Sequence, residues 1–227
     1  MLLYLKNQKL QLILSTVKNL KTARGRKISS IKWLERHLND PFVNLAKQKG
    51  YRSRAAFKLV EINEKYNILK DAKIVIDIGA APGGWLQVLK EKCSKNAKII
   101  GIDLKEIDPI DGVICMVGDF TLEENTNKLQ DLLDAKADLI LSDMAANACG
   151  DRQIDHLRIV GLAEIALEFT LQNLCKGGNF VAKMLKGAEE KKLLDEMRKY
   201  FSNVRYFKPK ASYDESAEIY IVALGFK

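Results

Sequence analysis

Ile74-Val75-Ile76-Asp77-Ile78-Gly79-Ala80-Ala81-Pro82-Gly83-Gly84-Trp85 is the stretch that decides the fold. The apolar run entering it reads as a buried strand that ends in a carboxylate, Asp77, and passes through a glycine-rich turn into the start of a helix. Gly79, Gly83 and Gly84 let the backbone pass close beside a ligand where a Cβ would collide, and ligands in folds of this kind gather at the carboxyl ends of the strands. The spacing differs from the GxGxxG dinucleotide fingerprint, so the turn points to a nucleotide-type site of another kind.

Outward from that turn, apolar runs alternate with helix-length amphipathic stretches. Strands are predicted at 73–77, 98–103, 112–117, 138–143, 179–183, 204–207 and 218–225, and helices at 86–93, 122–133, 155–174 and 189–201, with Gly177-Gly178 as the stop of the third. This pattern builds an α/β, Rossmann-like fold: a seven-stranded, mostly parallel sheet with helices on both faces. The connection from strand six to strand seven, KPKASYDESAE, is too short for a crossover helix and predicts an antiparallel strand at that edge. The second strand ends in Asp103, where a carboxylate can accept both ribose hydroxyls of an adenosine. The third leads to Gly118-Asp119-Phe120, where Asp119 can take an adenine amino hydrogen. A single acidic strand end often only caps the next helix; three in chain order after a glycine turn describe an adenosine-shaped slot.

The chain of 227 residues is long enough for one α/β domain, and its 47% hydrophobic content is ordinary for a globular protein. Its net charge of +8 is unevenly spread: residues 1–70 hold 16 basic and 4 acidic residues, and the remainder is mildly acidic. A basic first third ahead of an acidic body suits a phosphate-rich partner. Cys93, Cys115, Cys149 and Cys175 are widely spaced with no CxxC pair, which argues against a zinc ribbon or disulfide framework and fits a reducing cytoplasm. Lys6 and Lys9 interrupt the apolar start, so no run approaches the ~20 residues of a membrane span. The acid-free opening leaves an organelle transit peptide open as an alternative to a plain cytoplasmic location. Residues 1–30 read as a basic extension and 31–227 as the main body.

Three further features carry chemistry. Residues 53–66 read as a helix with Ser53 as its N-cap, carrying Lys58. Strand four ends in Asp143 (LSDMA), and strand five ends in Lys183 (FVAKM), so both side chains project at the edge of the sheet where the glycine turn lies. A lysine at the end of an apolar strand is costly to bury unless a carboxylate compensates it. With Glu218 in SAEIYIVA, Lys58, Asp143 and Lys183 complete a Lys-Asp-Lys-Glu set.

These residues, together with SIKWL, KGYRSRAAFKL, DIGAAPGGW, GDF, SDMA and EIYIVALGFK, resemble the FtsJ-type RNA 2′-O-ribose methyltransferases over about residues 31–227. The resemblance implies an S-adenosylmethionine-dependent methyltransferase fold and a cytoplasmic enzyme acting on a uridine of large-subunit ribosomal RNA within the assembled subunit. It implies Lys183 as the central catalytic lysine, with Lys58, Asp143 and Glu218 orienting and tuning it. The candidate S-adenosylmethionine-binding residues are Asp77, Gly79, Ala80, Pro82, Gly83, Gly84, Trp85, Asp103, Leu104, Asp119, Phe120 and Asp143. No metal and no membrane are expected to take part, and a monomer is expected. One departure stands out: Ala146 occupies the place of a proline that many relatives carry after SDMA. His37 and His156 lie outside these motifs and read as ordinary surface or helix residues.

Lys47, Lys49, Arg52 and Arg54 precede the Lys58 helix, and Arg24, Arg26 and Lys27 lie further upstream. They form a basic track whose natural ligands are RNA phosphates, contacts that position RNA without reading its sequence. Two rivals remain at this level. RNA cytosine-C5 methylation needs a cysteine nucleophile, for which Cys149 is the candidate. A ribosome-assembly factor without catalysis would keep the fold and lose the tetrad.

Overall fold

The computed structural model describes residues 34–35, 38–147, 149–187 and 189–227. The chain divides into two compact units, residues 1–54 and 55–227. The expected extension at 1–30, with Arg24, Arg26 and Lys27, lies outside the described residues, as does His37.

In the first unit, helix α1 (Pro41–Lys49) begins where Asp-Pro dictates: Asp40 accepts from the Phe42 and Val43 amides through Oδ1, and Pro41 takes the first helical turn, where no amide donor is needed. This helix, which carries Lys47 and Lys49 of the basic track, is not among the helices expected from the sequence. Gly50 closes α1 in the left-handed region at φ 72°.

The second unit follows the order α2 (Ala56–Tyr66), β1 (Ile74–Ile78), α3 (Gly84–Lys92), β2 (Lys98–Asp103), β3 (Val113–Val117), α4 (Glu123–Asp131), β4 (Ala137–Ser142), α5 (Arg152–Asn173), β5 (Leu174–Leu185), α6 (Glu190–Tyr200), β6 (Phe201–Phe207) and β7 (Glu218–Phe226). The sheet order is β3-β2-β1-β4-β5-β7-β6. β1 to β5 pair in parallel, and β7 runs antiparallel to both β5 and β6. The β6–β7 hairpin expected at the edge is present, with β7 the inner strand.

Two local expectations are corrected. Ser53 does not cap α2; its N-cap is Ala55, with no side-chain cap bond. Gly177-Gly178 does not stop α5, which ends at Asn173 and passes straight into β5. Between Ala137↔Leu174 and Leu139↔Asn179 the register slips, and Gly177 at φ 80° sits in that slip. The glycines serve a bulge, where one strand has extra residues to absorb.

The core is assembled from Ile76, Ile78, Ile100, Ile102, Ile140, Phe180 and Ile221 of the strands, covered on the helices by residues such as Val160, Ala163, Leu167, Leu193, Leu194 and Met197. α6 shows which force dominates. Its exposed ion pairs, Arg198–Asp195 and Lys199–Glu196, are screened by solvent and contribute little. Burial of each of Leu193, Leu194 and Met197 contributes about 1.5–3 kcal/mol, so the apolar face decides where the helix lies.

Candidate active site

Strand order reverses between β1 and β4, and open α/β sheets bind ligands at the carboxyl ends of the strands beside such a reversal. The turn after β1 is pinned there by the Gly79 and Ala80 amides, both donating to the Ile102 carbonyl at 2.8 and 3.2 Å. Gly79 has φ +81°, and a Cβ on it would lie 2.8 Å from the Met144 backbone nitrogen, so only glycine lets the loops after β1 and β4 meet.

A cleft of about 670 Å³ opens at this point. Gly79, Asp103, Leu104, Asp119, Phe120 and Asp143, all candidates from the sequence, line it. Asp103 is partly occupied: Oδ2 accepts from the Ala81 amide at 3.0 Å and Oδ1 from the Lys105 amide at 2.9 Å, which leaves one lone pair on each oxygen for a ligand. Asp119 takes both Thr121 donors on Oδ1, and its Oδ2 has no hydrogen-bond partner among the described residues. Phe120 packs edge-on against Phe169 and forms part of the cleft wall from the core side.

Asp77, Ala80, Pro82, Gly83, Gly84 and Trp85 lie outside that lining. Trp85 is buried, donates from its indole to the Ala55 carbonyl at 2.8 Å, and packs on Tyr220; its contacts tie α3 to the start of α2. Pro82 is exposed and follows a cis peptide bond. Asp77 is fully buried, and neither of its oxygens has a hydrogen-bond partner among the described residues. Burial, then Asp143, then Asp103 push its carboxyl well above the usual range.

Beside the cleft lies a second arrangement in which every charge is matched. Lys183 Nζ stands 3.1 Å from Asp143 Oδ1 and donates to the Asp143 carbonyl at 2.6 Å. Lys58 Nζ pairs with Glu218 Oε2 at 2.7 Å. Tyr220 joins the pairs: its hydroxyl donates to Asp143 Oδ1 at 2.7 Å, and Lys58 Nζ lies 5.8 Å from its ring centre. All four tetrad side chains are mostly enclosed, at 9–17% exposure. Burial alone would raise the Asp143 carboxyl; Lys183, Lys58 and the Tyr220 hydroxyl outweigh it and hold the carboxyl below its ordinary value. The Tyr220 phenol is pushed well up, first by burial and then by Asp143 and Glu218, so it stays a donor.

Sheet geometry explains the convergence. Lys183 is the register partner of Tyr220, and Leu185 of Glu218, so the β5 lysine and the β7 pair meet across one ladder. Tyr220 was missed in the sequence, although a signal existed: residues two apart on a strand share a face, which puts it beside Glu218. The α5 wall of the cleft, Arg158, Gly161, Leu162 and Ile165, was missed as well, because its spacing reads only as a packed helix face. His156 is a residue of helix α5 and is buried there: Nε2 accepts from the Glu189 amide at 3.2 Å.

Of the basic track, Lys47 and Lys49 are exposed in the last turn of α1, and Arg54 Nε pairs with Asp40 at 2.7 Å. Among the described residues no cluster of His, Cys, Asp and Glu could hold a metal ion, and no helix is long and apolar enough to cross a membrane.

The FtsJ-like methyltransferase family model matches residues 51–226. A Paramagnetospirillum magneticum protein named ribosomal RNA large subunit methyltransferase E is 50% identical over 217 residues, covering 93% of this chain and 88% of its own. A Novosphingobium aromaticivorans protein of the same name is 51% identical over 208 residues, covering 92% of this chain and 93% of its own. Among solved structures, a Plasmodium falciparum protein assigned as a ribosomal RNA methyltransferase superposes with a TM-score of 0.70 at 39% identity, covering 78% of this chain and 98% of that one. With the glycine turn at the strand-order reversal and a family match across most of its length, the chain belongs to the FtsJ-like methyltransferases.

Proposed function

We propose that this protein transfers a methyl group from S-adenosylmethionine to the 2′-hydroxyl of a uridine ribose in large-subunit ribosomal RNA, in the assembled subunit and in the cytoplasm. The observation that carries the reading is the Lys183–Asp143 pair, with Lys58–Glu218 joined to it through Tyr220, at the rim of a cleft that Asp143 also lines. The family relationship and the names of the relatives support the substrate class. In this reading residues 31–227 are the methyltransferase domain and 1–30 a basic extension.

The cleft's residues fit the donor. Gly79 lines the cleft, Asp119 Oδ2 is open to an adenine amino group, and the open lone pairs of Asp103 suit ribose hydroxyls. Asp77 is a buried carboxylate crowded by two others, and a cationic ligand relieves that crowding. When bound, S-adenosylmethionine supplies an electrophilic methyl on a sulfonium centre.

The tetrad does the rest. A ribose hydroxyl is a weak acid and a poor nucleophile, so its oxygen must be aligned behind the methyl carbon and its proton taken or stabilised as the bond forms. Lys183 directs two Nζ positions at Asp143, one to the carbonyl and one to Oδ1, and the third would face the ribose oxygen. As a lone pair it takes the hydroxyl proton, or as an N–H it stabilises the oxygen while water takes the proton, as the carbon–oxygen bond forms and the methyl–sulfur bond breaks. Asp143 fixes the lysine's direction, Tyr220 fixes Asp143, and Lys58–Glu218 closes the far side. Lys47, Lys49, Arg52 and Arg54 take RNA phosphates in this reading, Arg54 while also paired with Asp40.

The test is incubation of the protein with methyl-labelled S-adenosylmethionine and ribosomal particles from cells lacking it, followed by mapping of the label. Label on a single ribose 2′-oxygen of large-subunit RNA is expected. Label on a base, or none while the donor binds, overturns the proposal.

A further inference from the structure

The β6–β7 connection, residues 208–217, is joined to the reacting cleft by a side chain that the tetrad reading leaves out. Lys58 and Glu61 lie three residues apart on α2, hence on one face of the helix. Lys58 reaches Glu218, and Glu61 reaches the connection itself: its Oε2 accepts from the Lys210 amide at 2.7 Å and its Oε1 from the Ala211 amide at 2.8 Å. The next residue, Ser212, is only 3% exposed, and its hydroxyl donates to Glu218 Oε1 at 2.6 Å. The Ser212 amide donates to the Pro209 carbonyl at 3.0 Å, which fixes the turn that presents the hydroxyl.

Each oxygen of Glu218 therefore has its own donor, Ser212 on Oε1 and Lys58 on Oε2. A glutamate held only by Lys58 keeps the freedom to rotate its carboxylate about the terminal bond. The second donor removes that freedom and keeps Oε2 turned to Lys58. The loop has no need of this contact for its own anchoring, because Glu61 and the hydrogen bonds of Lys208 Nζ to the Asp214 and Ser216 carbonyls already hold it.

We propose that Ser212, seated by Glu61, is a positioning residue for methyl transfer: it orients Glu218 so that Lys58 stays fixed beside Asp143 and Tyr220. This rests on the reading above, in which Lys58 and Glu218 serve the reaction. Ser212 acts through Glu218, and donor binding does not depend on it.

The experiment compares wild type, Lys58→Ala, Ser212→Ala and Ser212→Thr with ribosomal particles and S-adenosylmethionine, recording kcat, KM for the particles, donor Kd by calorimetry and Tm. Ser212→Ala is expected to lower kcat about 10- to 100-fold, the size of one hydrogen bond to a charged group, with donor Kd at the wild-type value and Tm lowered only by the few degrees that one lost buried hydrogen bond costs. Ser212→Thr, which keeps the hydroxyl, is expected to recover most of kcat. Wild-type kcat in Ser212→Ala overturns the proposal. So does a joint fall of kcat, Tm and donor affinity, or a Ser212→Thr enzyme no better than Ser212→Ala. A Lys58→Ala enzyme as active as wild type removes the tetrad reading instead, and is recognised by that separate measurement.

Discussion

The donor cleft and the reacting cleft share one carboxylate, Asp143, and handle charge in opposite ways. On the donor side Asp77, Asp103 and Asp143 crowd together, and Asp77 is buried with no hydrogen-bond partner among the described residues. On the reacting side each lysine is matched by a carboxylate within 3.1 Å, and each carboxylate also takes a hydroxyl. A buried charge left unmatched is expensive, so the donor side reads as a place where the ligand brings the missing positive charge. The matched side reads as a preset electrostatic frame that changes little when substrate arrives.

Breaking the matched side should have the largest effect. Lys183→Ala is expected to reduce kcat by about 100- to 10,000-fold, the range for loss of a positioned proton-handling group, while donor affinity measured by calorimetry stays near wild type. Equal loss of donor affinity would mean that the two clefts are not separable and the contrast between them is false.

Asp77→Asn probes the unmatched side from both directions. Donor affinity should fall a few-fold, since a carboxyl beside the cleft whose field favours a cationic donor is lost. Without donor, the variant should melt higher than wild type at neutral pH. Folding raises the proton affinity of Asp77, so its contribution to stability is present in full below the ordinary carboxylate range and is lost as pH rises through the raised value. The variant's advantage should therefore shrink as pH falls from the raised value toward the ordinary carboxylate range, about 4, and be gone below it. Asp143 carries the opposite sign: its depressed carboxyl adds stability above the ordinary range and loses it as pH falls through the depressed value. A wild type that melts higher than Asp77→Asn at neutral pH without donor would show that Asp77 is compensated inside the protein.

Gly79→Ala tests the seam between the clefts. Left-handed backbone strain costs about 1–3 kcal/mol, and the added Cβ would sit 2.8 Å from Met144 N, so the loops after β1 and β4 must part. Tm should drop by about 2–4 °C for each kcal/mol in a domain of this size. An unchanged Tm and donor Kd would mean that the close approach is dispensable.

The two clefts were not equally legible in the sequence. The donor side is written locally: one glycine turn and acids at successive strand ends, each meaningful within a dozen residues. Even there, the motif does not announce that the Trp85 indole donates to the Ala55 carbonyl, because a residue within a motif does not show which way it faces. The reacting side depends on pairings such as Lys58 with Glu218, 160 positions apart, which spacing cannot supply and which came only from family resemblance. Tyr220 and Ser212 were overlooked for the same reason. Their role is visible only once β7 lies against β5 and the connection folds onto α2. The bulge at Gly177 was missed because a glycine pair after a helical pattern has two readings, and register alone separates them.

A smaller effect should come from the charges on the first unit. Replacing Lys47 and Lys49 with Gln should weaken RNA association and lower its salt slope by about 1 per lost phosphate contact, without changing donor Kd. Arg54→Ala should differ from these, because it also strips a partner from Asp40, the residue that caps α1, and so should lower Tm as well. A salt slope identical to wild type in Lys47→Gln/Lys49→Gln would remove these lysines from the RNA contact.

The smallest effect expected is none, at Cys149. A cytosine-C5 mechanism would need this thiol as its nucleophile, and in the structure Cys149 is exposed and absent from the cleft lining, whereas the residues just before it belong to that lining. Its stronger contact runs through the main chain: the Cys149 amide donates to Asp155 Oδ1 at 2.8 Å, a bond that alanine keeps, while the thiol's weak bond to the Asp151 carbonyl at 3.9 Å is lost. Cys149→Ala should therefore retain kcat to within about twofold, as expected for an exposed substitution that gives up only weak thiol contacts. An inactive variant, or a covalent RNA adduct trapped by the wild type, would move the chemistry from the lysine-carboxylate frame to the loop beyond β4. The contrast between matched and unmatched charge would then describe only how this protein folds.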